Sequence, residues 1–170
     1  MALLSVIIPS FNEESNIRNT VDTLSAVLQR EHIAYELLFV SDGSKDQTFP
    51  LIRSASLQDN RVRGVQFSRN FGKEAGLYAG LKHATGSYIS LIDADLQQRP
   101  ELVRQMVEIL DTQPEYDIVA AYQDKRGDGK VLTFFKEGFY SLINHLSTVK
   151  LRPDASDFRT FRRKVAESIL

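Results

Sequence analysis

Two carboxylates one residue apart, Asp93 and Asp95, stand directly after the apolar run Tyr88-Ile89-Ser90-Leu91-Ile92. Mg²⁺ and Mn²⁺ prefer hard oxygen ligands and are commonly held by one or two carboxylates together with substrate phosphates. A strand that delivers Asp93-Ala94-Asp95-Leu96-Gln97 to a sheet edge therefore suits a divalent metal and a diphosphate-bearing substrate. An isolated Asp-x-Asp is equally the composition of a solvated turn, so the rest of the chain has to decide. Three more polar segments follow apolar runs: Pro9-Ser10-Phe11-Asn12-Glu13-Glu14, Ser41-Asp42-Gly43-Ser44 and Ser68-Arg69-Asn70-Phe71-Gly72-Lys73. Guanidinium forks grip phosphate oxygens in pairs and lysine adds a point charge. Arg69, Lys73, Arg126 and Arg159 are thus candidate phosphate contacts, with a solvated surface role the alternative for each. His32, His83 and His145 share no metal-ligand spacing and are expected to be structural or exposed.

The elements that must position these residues alternate. Strand-like runs occur at Leu4–Ile8, Glu36–Val40, Val62–Phe67, Tyr88–Ile92 and Asp117–Ala121, separated mostly by helix-length patterns. A first helix from about Ser15 carries Ile17, Val21, Leu24 and Leu28 on one face, and a shorter second runs from about Asp46 to Gln58. A third is introduced by Gly72, carries Leu77, Leu81 and Ala84, and is expected to stop at a left-handed Gly86. The fourth has Pro100 near its start and a stripe of Leu102, Val103, Met106, Val107 and Leu110. This order predicts an α/β fold with a mostly parallel sheet, helices on both faces, and ligands beyond the carboxyl ends of the strands. The four polar segments would then meet along one edge. Past residue 121 the sequence predicts a polar loop, Gln123–Lys130, and a helix striped by Leu132, Phe135, Phe139, Leu142, Ile143 and Leu146. Core packing is the expected use of that stripe, with Phe134, Phe135, Phe139 and Tyr140 offering a lipid groove as the alternative. A last helix is expected to begin at Arg162.

With 170 residues, 42% of them apolar, one domain over residues 1–170 is expected to bury its own core. The near balance of 21 basic and 22 acidic side chains gives no field for nucleic acid, so any anion site must be local. Absence of cysteine excludes disulfides, thiolate metal sites and a cysteine nucleophile. Met1–Ser5 lacks the basic start of a signal peptide, and no apolar run approaches the roughly 18 residues of a membrane span, so a soluble chain exposed to the cytoplasm is expected. Neither Gly-x-Gly-x-x-Gly nor the phosphate-binding Gly-x-x-x-x-Gly-Lys-Ser/Thr occurs, which argues against dehydrogenase and P-loop chemistry.

Five segments in order, Val6-Ile7-Ile8-Pro9-Ser10-Phe11-Asn12-Glu13-Glu14, Ser41-Asp42-Gly43-Ser44-Lys45-Asp46, Ser68-Arg69-Asn70-Phe71-Gly72-Lys73-Glu74, Asp93-Ala94-Asp95-Leu96-Gln97 and Ser156-Asp157-Phe158-Arg159, carry a resemblance. The chain resembles family 2 glycosyltransferases of the GT-A fold (nucleotide-diphospho-sugar transferases), and more narrowly the polyprenyl-phosphate glycosyltransferases. That group includes bactoprenol glucosyltransferases and dolichyl-phosphate mannose synthases. The resemblance implies an inverting, Mg²⁺- or Mn²⁺-dependent transfer of a hexose from a nucleotide diphosphate sugar, UDP-glucose-like, to a polyprenyl phosphate. It assigns Pro9, Glu13, Asp42, Asp93, Arg69 and Lys73 to the nucleotide sugar, and Asp95, Asp93 and Gln97 to the metal. It places Asp157 where a base is expected, with Arg159 beside it, the alternative for that pair being a structural ion pair. Lys125 and Arg126 would meet the acceptor phosphate, in a stretch with fewer basic residues than such relatives carry. Relatives of this kind continue into membrane helices, so a catalytic domain of a longer protein on the cytoplasmic membrane face is expected, and an oligomer is compatible with it. A saccharide hydroxyl as acceptor, or a nucleotide-sugar-binding module without catalysis, are the other readings.

Overall fold

Period-two alternation in the first strand sets the architecture. In the computed structural model, which describes residues 3–122 and 155–170 (side chains of 3–121 and 157–170), strand β1 (Leu4–Ser10) turns Leu4, Val6 and Ile8 to one face and Ser5 and Ile7 to the other. Strand β2 (Tyr35–Ser41) pairs with β1 in parallel, setting Val6 beside Leu37 and Ile8 beside Phe39 on the first face, and Ile7 beside Leu38 on the second. Because both faces are buried, both strands read as nearly unbroken apolar runs. Each fully buried Leu, Ile or Phe contributes about 1.5–3 kcal/mol, so a one-residue slip that exchanged the faces would forfeit many such terms at once.

The sheet runs β3-β2-β1-β4-β6-β5, with β3 Val62–Gln66, β4 Tyr88–Leu91, β5 Ile118–Tyr122 and β6 Ala155–Arg162. The pairings β1 with β2, β2 with β3 and β1 with β4 are parallel; β6 runs antiparallel to both β4 and β5. Helices α1 (Ile17–Arg30), α2 (Thr48–Gln58) and α4 (Leu102–Thr112) pack on the Leu4–Val6–Ile8 face, and α3 (Lys73–His83) and α5 (Arg163–Glu167) on the Ile7 face. The expected α/β sheet with helices on both faces is present.

Several boundaries move for identifiable reasons. Helix α1 begins two residues after Ser15 because the Glu13 carbonyl accepts from the Asn16 and Ile17 N–H groups. Helix α2 begins at Thr48, whose N–H donates to the Asp46 carboxylate at 3.0 Å. Gly86 is not a left-handed helix terminator: α3 ends at His83, and among the described glycines positive φ occurs only at Gly43 and Gly72. Gly86 is needed for a close approach instead, since a Cβ there would lie 2.5 Å from the Leu3 carbonyl oxygen and 2.6 Å from the Ser5 nitrogen. The segment before Arg162 is a strand, and the last helix starts one residue later than expected. His32 and His83 are exposed. The expected loop Gln123–Lys130, the helix striped by Leu132 to Leu146, His145, Lys125 and Arg126 lie outside the described residues. No helix among the described residues is long and apolar enough to cross a membrane.

At the amino-terminal end of the strands a buried Glu36 accepts hydrogen bonds from Ser5 Oγ (2.6 Å), Thr85 N (2.7 Å), Thr85 Oγ1 (2.8 Å) and Arg63 Nη1 (2.5 Å). Burial alone would raise its pKa, yet these donors outweigh it and hold the carboxyl below its usual range.

Candidate functional site

The loops after β1 and β2 are joined by a ladder of short bonds. Asn12, at φ 54°, donates its N–H to Ser44 Oγ (3.1 Å) and accepts at Oδ1 from Lys45 N (3.0 Å); Glu13 N donates to Thr48 Oγ1 (2.8 Å). The β2 loop is joined in turn to the loop after β3. Asp42, 5% exposed, accepts from Phe71 N at 2.7 Å through Oδ1 and from Gly72 N at 2.9 Å through Oδ2. Gly43, at φ 66°, has no room for a side chain, as a Cβ would stand 2.2 Å from the Arg69 carbonyl carbon. Helix α3 then starts from Gly72 at φ 98° and lies close on the sheet: a Cβ at Gly80 would meet Ile7 Cγ2 at 2.4 Å. That approach brings Lys73, the first residue of α3, to the ends of the strands.

Strand register brings the other two carboxylates together. In the antiparallel pair β4/β6, Leu91 stands opposite Arg159, and the same register carried two residues further sets Asp93 opposite Asp157. Alternation keeps both on the α3 face, following Ile89 and Leu91 in one strand and Phe161 and Arg159 in the other. Like charges facing each other across strands repel. Lys73 Nζ lies between them, 2.7 Å from Asp93 Oδ1 and 3.1 Å from Asp157 Oδ2. Partial burial opposes the charged form of Lys73, but hydrogen bonds to Asp93 and then Asp157 prevail and raise its pKa. The Gln98 amide closes the other side of Asp93, donating from Nε2 to Oδ2 at 2.7 Å while its Oε1 accepts from Asp93 N at 3.2 Å. Asp157 is 64% exposed, and Arg159 Nη2 lies 3.5 Å from its Oδ1, a looser contact than the one to Lys73.

Asp95 is exposed and accepts the Gln97 N–H at 3.2 Å. Its turn is held by Thr20 Oγ1, which donates to the carbonyl of buried Ala94 at 2.6 Å, and by Leu96, at φ 52°, packed against the core. Gln97 contributes its backbone to this turn.

A cleft of about 330 Å³ lies between these elements, lined among others by Pro9, Glu13, Asp42, Lys73, Asp93 and Asp95. Beyond the Lys73–Asp93 pair is a smaller hollow of about 160 Å³ that includes Leu77, Leu91, Gln98, Asp157 and Arg159. Pro9, Lys73 and Asp93 line both, so the ion pair forms the wall between them. On the outer side, Phe11 and Asn70 are shared with a third hollow of about 700 Å³ that holds Lys45, Phe67 and Arg69. The Arg69 guanidinium stacks 4.3 Å from the centre of the Phe71 ring.

Among the described residues no group of three His, Asp or Glu converges as a ready metal cage. Asp95 offers hard oxygens, and Asp93 has Lys73 on one oxygen and Gln98 on the other. That donor set fits Mg²⁺ or Mn²⁺ only as a partial ligand sphere, to be completed by substrate oxygens and water. Phe11 and Gln98 were not singled out from the sequence. An exposed aromatic in the loop after β1 was the signal for the first, and the second amide of Gln97-Gln98 for the other.

Comparison with known proteins adds to this geometry. The family model described as "Glycosyl transferase family 2" matches residues 5–170. An uncharacterized glycosyltransferase YkcC of Bacillus subtilis is 40% identical over 169 residues, covering 97% of this chain and 51% of the relative. A bactoprenol glucosyl transferase of Shigella phage SfX is 36% identical over 166 residues, covering 98% of this chain and 54% of the relative. The chain thus spans about half the length of the curated relatives it matches. Among solved structures, glucosyl-3-phosphoglycerate synthase of Mycobacterium tuberculosis in complex with Mn²⁺, UDP and glucosyl-3-phosphoglycerate superposes with TM-score 0.70 at 22% identity, covering 96% of this chain and 58% of that one. The fold is GT-A.

Proposed function

This chain belongs to glycosyl transferase family 2, and from that membership we propose that it moves a hexose from a UDP-glucose-like nucleotide sugar to a polyprenyl phosphate, with inversion. The observation that carries the reading is the shared wall: one cleft holds Glu13, Asp42 and Asp95, the next holds Asp157 and Arg159, and Lys73–Asp93 stands between them. A donor in the first and an acceptor in the second would meet there. The bactoprenol glucosyl transferase relative supports a glucosyl donor and a lipid acceptor by likeness.

In this reading the chain acts as one catalytic domain. The ring of Phe11, 45% exposed at the mouth of the cleft, offers an apolar platform for the nucleoside, and Pro9 and Glu13 line its wall. Asp42 spends one lone pair of each oxygen on Phe71 and Gly72, so its part is to fix that loop and to accept further bonds from the nucleoside. Asp95, assisted by Asp93, would hold the divalent ion; Gln97 serves that turn through its backbone. When bound, the metal supplies positive charge to the departing diphosphate. Arg69 and Lys73 add positive charge from the protein, and Lys125 and Arg126 are assigned to the acceptor phosphate.

Direct displacement forms a bond from an acceptor oxygen to the anomeric carbon and breaks the bond to the diphosphate, which leaves with the electron pair. A phosphate monoester has its second pKa near about 6 and arrives dianionic at neutral pH, so no proton has to be removed. Asp157 then orients, while Arg159 offsets the charge of the acceptor. In this reading the polyprenyl acceptor would be met at a membrane surface.

Calorimetric titration of UDP-glucose, and in parallel GDP-mannose, with Mn²⁺ or with EDTA tests the donor half. UDP-glucose binding that requires both Mn²⁺ and Asp95 is expected, and Asp95→Ala should abolish it. Metal-independent binding, or none to either nucleotide sugar, would refute the assignment.

A further inference from the structure

We propose that Lys73 is a built-in cation of the metal-free site: it occupies the Asp93–Asp157 pair, opposes divalent-metal binding, and thereby makes metal binding depend on the nucleoside diphosphate. The inference rests on the donor reading above.

Register alone would leave two carboxylates opposite each other at the ends of β4 and β6. The fold meets that charge with an ammonium from a third element, placed there by the close seat of α3 on β1. Asp93 has no oxygen without a partner, since Gln98 holds Oδ2 and Lys73 holds Oδ1. A dication arriving alone would therefore meet Asp95, exposed and held only by the Gln97 N–H at 3.2 Å, and Glu13, which Asn16 Nδ2 engages at 2.6 Å. It would also face the ammonium across Asp93. A nucleoside diphosphate reverses both terms, because it brings oxygen ligands for the metal and a second anionic partner for Lys73. The side chain of Lys73 is 40% exposed and lines the cleft, so it has the room to turn toward that partner.

Two plainer roles make different forecasts. A lysine that only contacts phosphate would, when removed, weaken nucleotide binding and leave the affinity for metal alone unchanged. One that only ties β6 to β4 would change thermal stability and neither affinity. Competition alone predicts tighter metal binding on removal.

The test is an electron paramagnetic resonance titration of Mn²⁺ into this chain and its Lys73→Met, Lys73→Gln and Lys73→Arg variants, without nucleotide and again with saturating UDP. Thermal midpoints identify folded variants; Lys73→Gln stands in if Lys73→Met is unfolded. Lys73→Met and Lys73→Gln should bind Mn²⁺ without nucleotide roughly 5- to 150-fold more tightly than the parent, Lys73→Arg should stay near the parent, and the enhancement of Mn²⁺ binding by UDP should shrink correspondingly. Unchanged or weaker Mn²⁺ affinity in both neutral variants overturns the inference while leaving the donor reading intact. If the parent binds no Mn²⁺ even with UDP, the donor reading fails and this inference with it.

Discussion

Replacing Asp42 by asparagine puts an NH₂ group where both oxygens are in use. Phe71 N and Gly72 N donate to them at 2.7 and 2.9 Å, and the residue is 5% exposed. The amide keeps one acceptor, so one backbone bond survives in neutral form and the other N–H meets a donor. Hydrogen bonds to a charged group are worth about 1.5–3 kcal/mol, and a buried donor left without a partner costs about 1–3 kcal/mol. Phe71 is exposed, so water can recover part of the second cost. A net loss of about 2–4 kcal/mol follows, which for a domain of this length lowers Tm by roughly 4–16 °C. The freed loop carries Lys73 at its end, so affinity for UDP-glucose with Mn²⁺ should fall as well. Differential scanning calorimetry and isothermal titration read the two effects on one preparation. An Asp42→Asn chain with Tm unchanged and weakened binding would refute the loop-anchoring argument, since the carboxylate would then be acting on the ligand alone.

Gly43→Ala should be more damaging than its size suggests, because φ 66° costs an L-residue about 1–2 kcal/mol and the new Cβ would sit 2.2 Å from backbone; loss of soluble protein or a large fall in Tm is expected. Glu36 has a depressed pKa in the folded chain, so its stabilisation is present above the unfolded value of about 4.3 and disappears as pH falls through the folded value. Urea unfolding of parent and Glu36→Gln should accordingly differ most at neutral pH and converge in acid, and a gap that stays constant would contradict this. Asp157→Asn should retain substantial transfer to a polyprenyl phosphate, since a dianionic nucleophile needs no base; near-complete loss in a radiolabelled-sugar assay would favour a saccharide hydroxyl as acceptor.

Much of the fold was legible because β1, β2 and β4 are apolar on both faces, and the residues after each run stand where such sheets place ligands. Asp42, Lys73, Asp93 and Asp95 were readable that way, and the structure gathers them around one cleft. What stayed hidden was non-local. Nothing in the spacing of Asp42 and Phe71 tells that a carboxylate is spent on backbone N–H groups about thirty residues on. Strand β6, Ala155–Arg162, mixes Ser156, Asp157, Arg159 and Thr160 with two phenylalanines, so its polar positions masked the alternation. Its polar residues find partners only in the folded chain, as buried Thr160 does with Ser90 Oγ at 3.1 Å. The small face of α3, where Gly80 seats the helix closely on Ile7, likewise emerges only in the fold.

The antiparallel strand is what makes a two-sided site from a one-sided edge. In a wholly parallel sheet only segments that follow strands reach the carboxyl edge, and each helix must then carry the chain away again. Strand β6 lies between β4 and β5 and runs the other way, so residues at its start lie at the edge where β4 ends. Asp157 thereby faces Asp93 without a loop of its own, with its height fixed by the Leu91–Arg159 pairing and its face fixed by alternation. Rigid positioning of this kind is what a displacement between two bound molecules demands, because a shift of one ångström at either partner is costly in rate. The accompanying repulsion between carboxylates is met by Lys73, which belongs to neither strand. Site geometry and its counter-charge therefore come from separate elements, so Lys73 can change partners while the β4/β6 register holds both carboxylates in place.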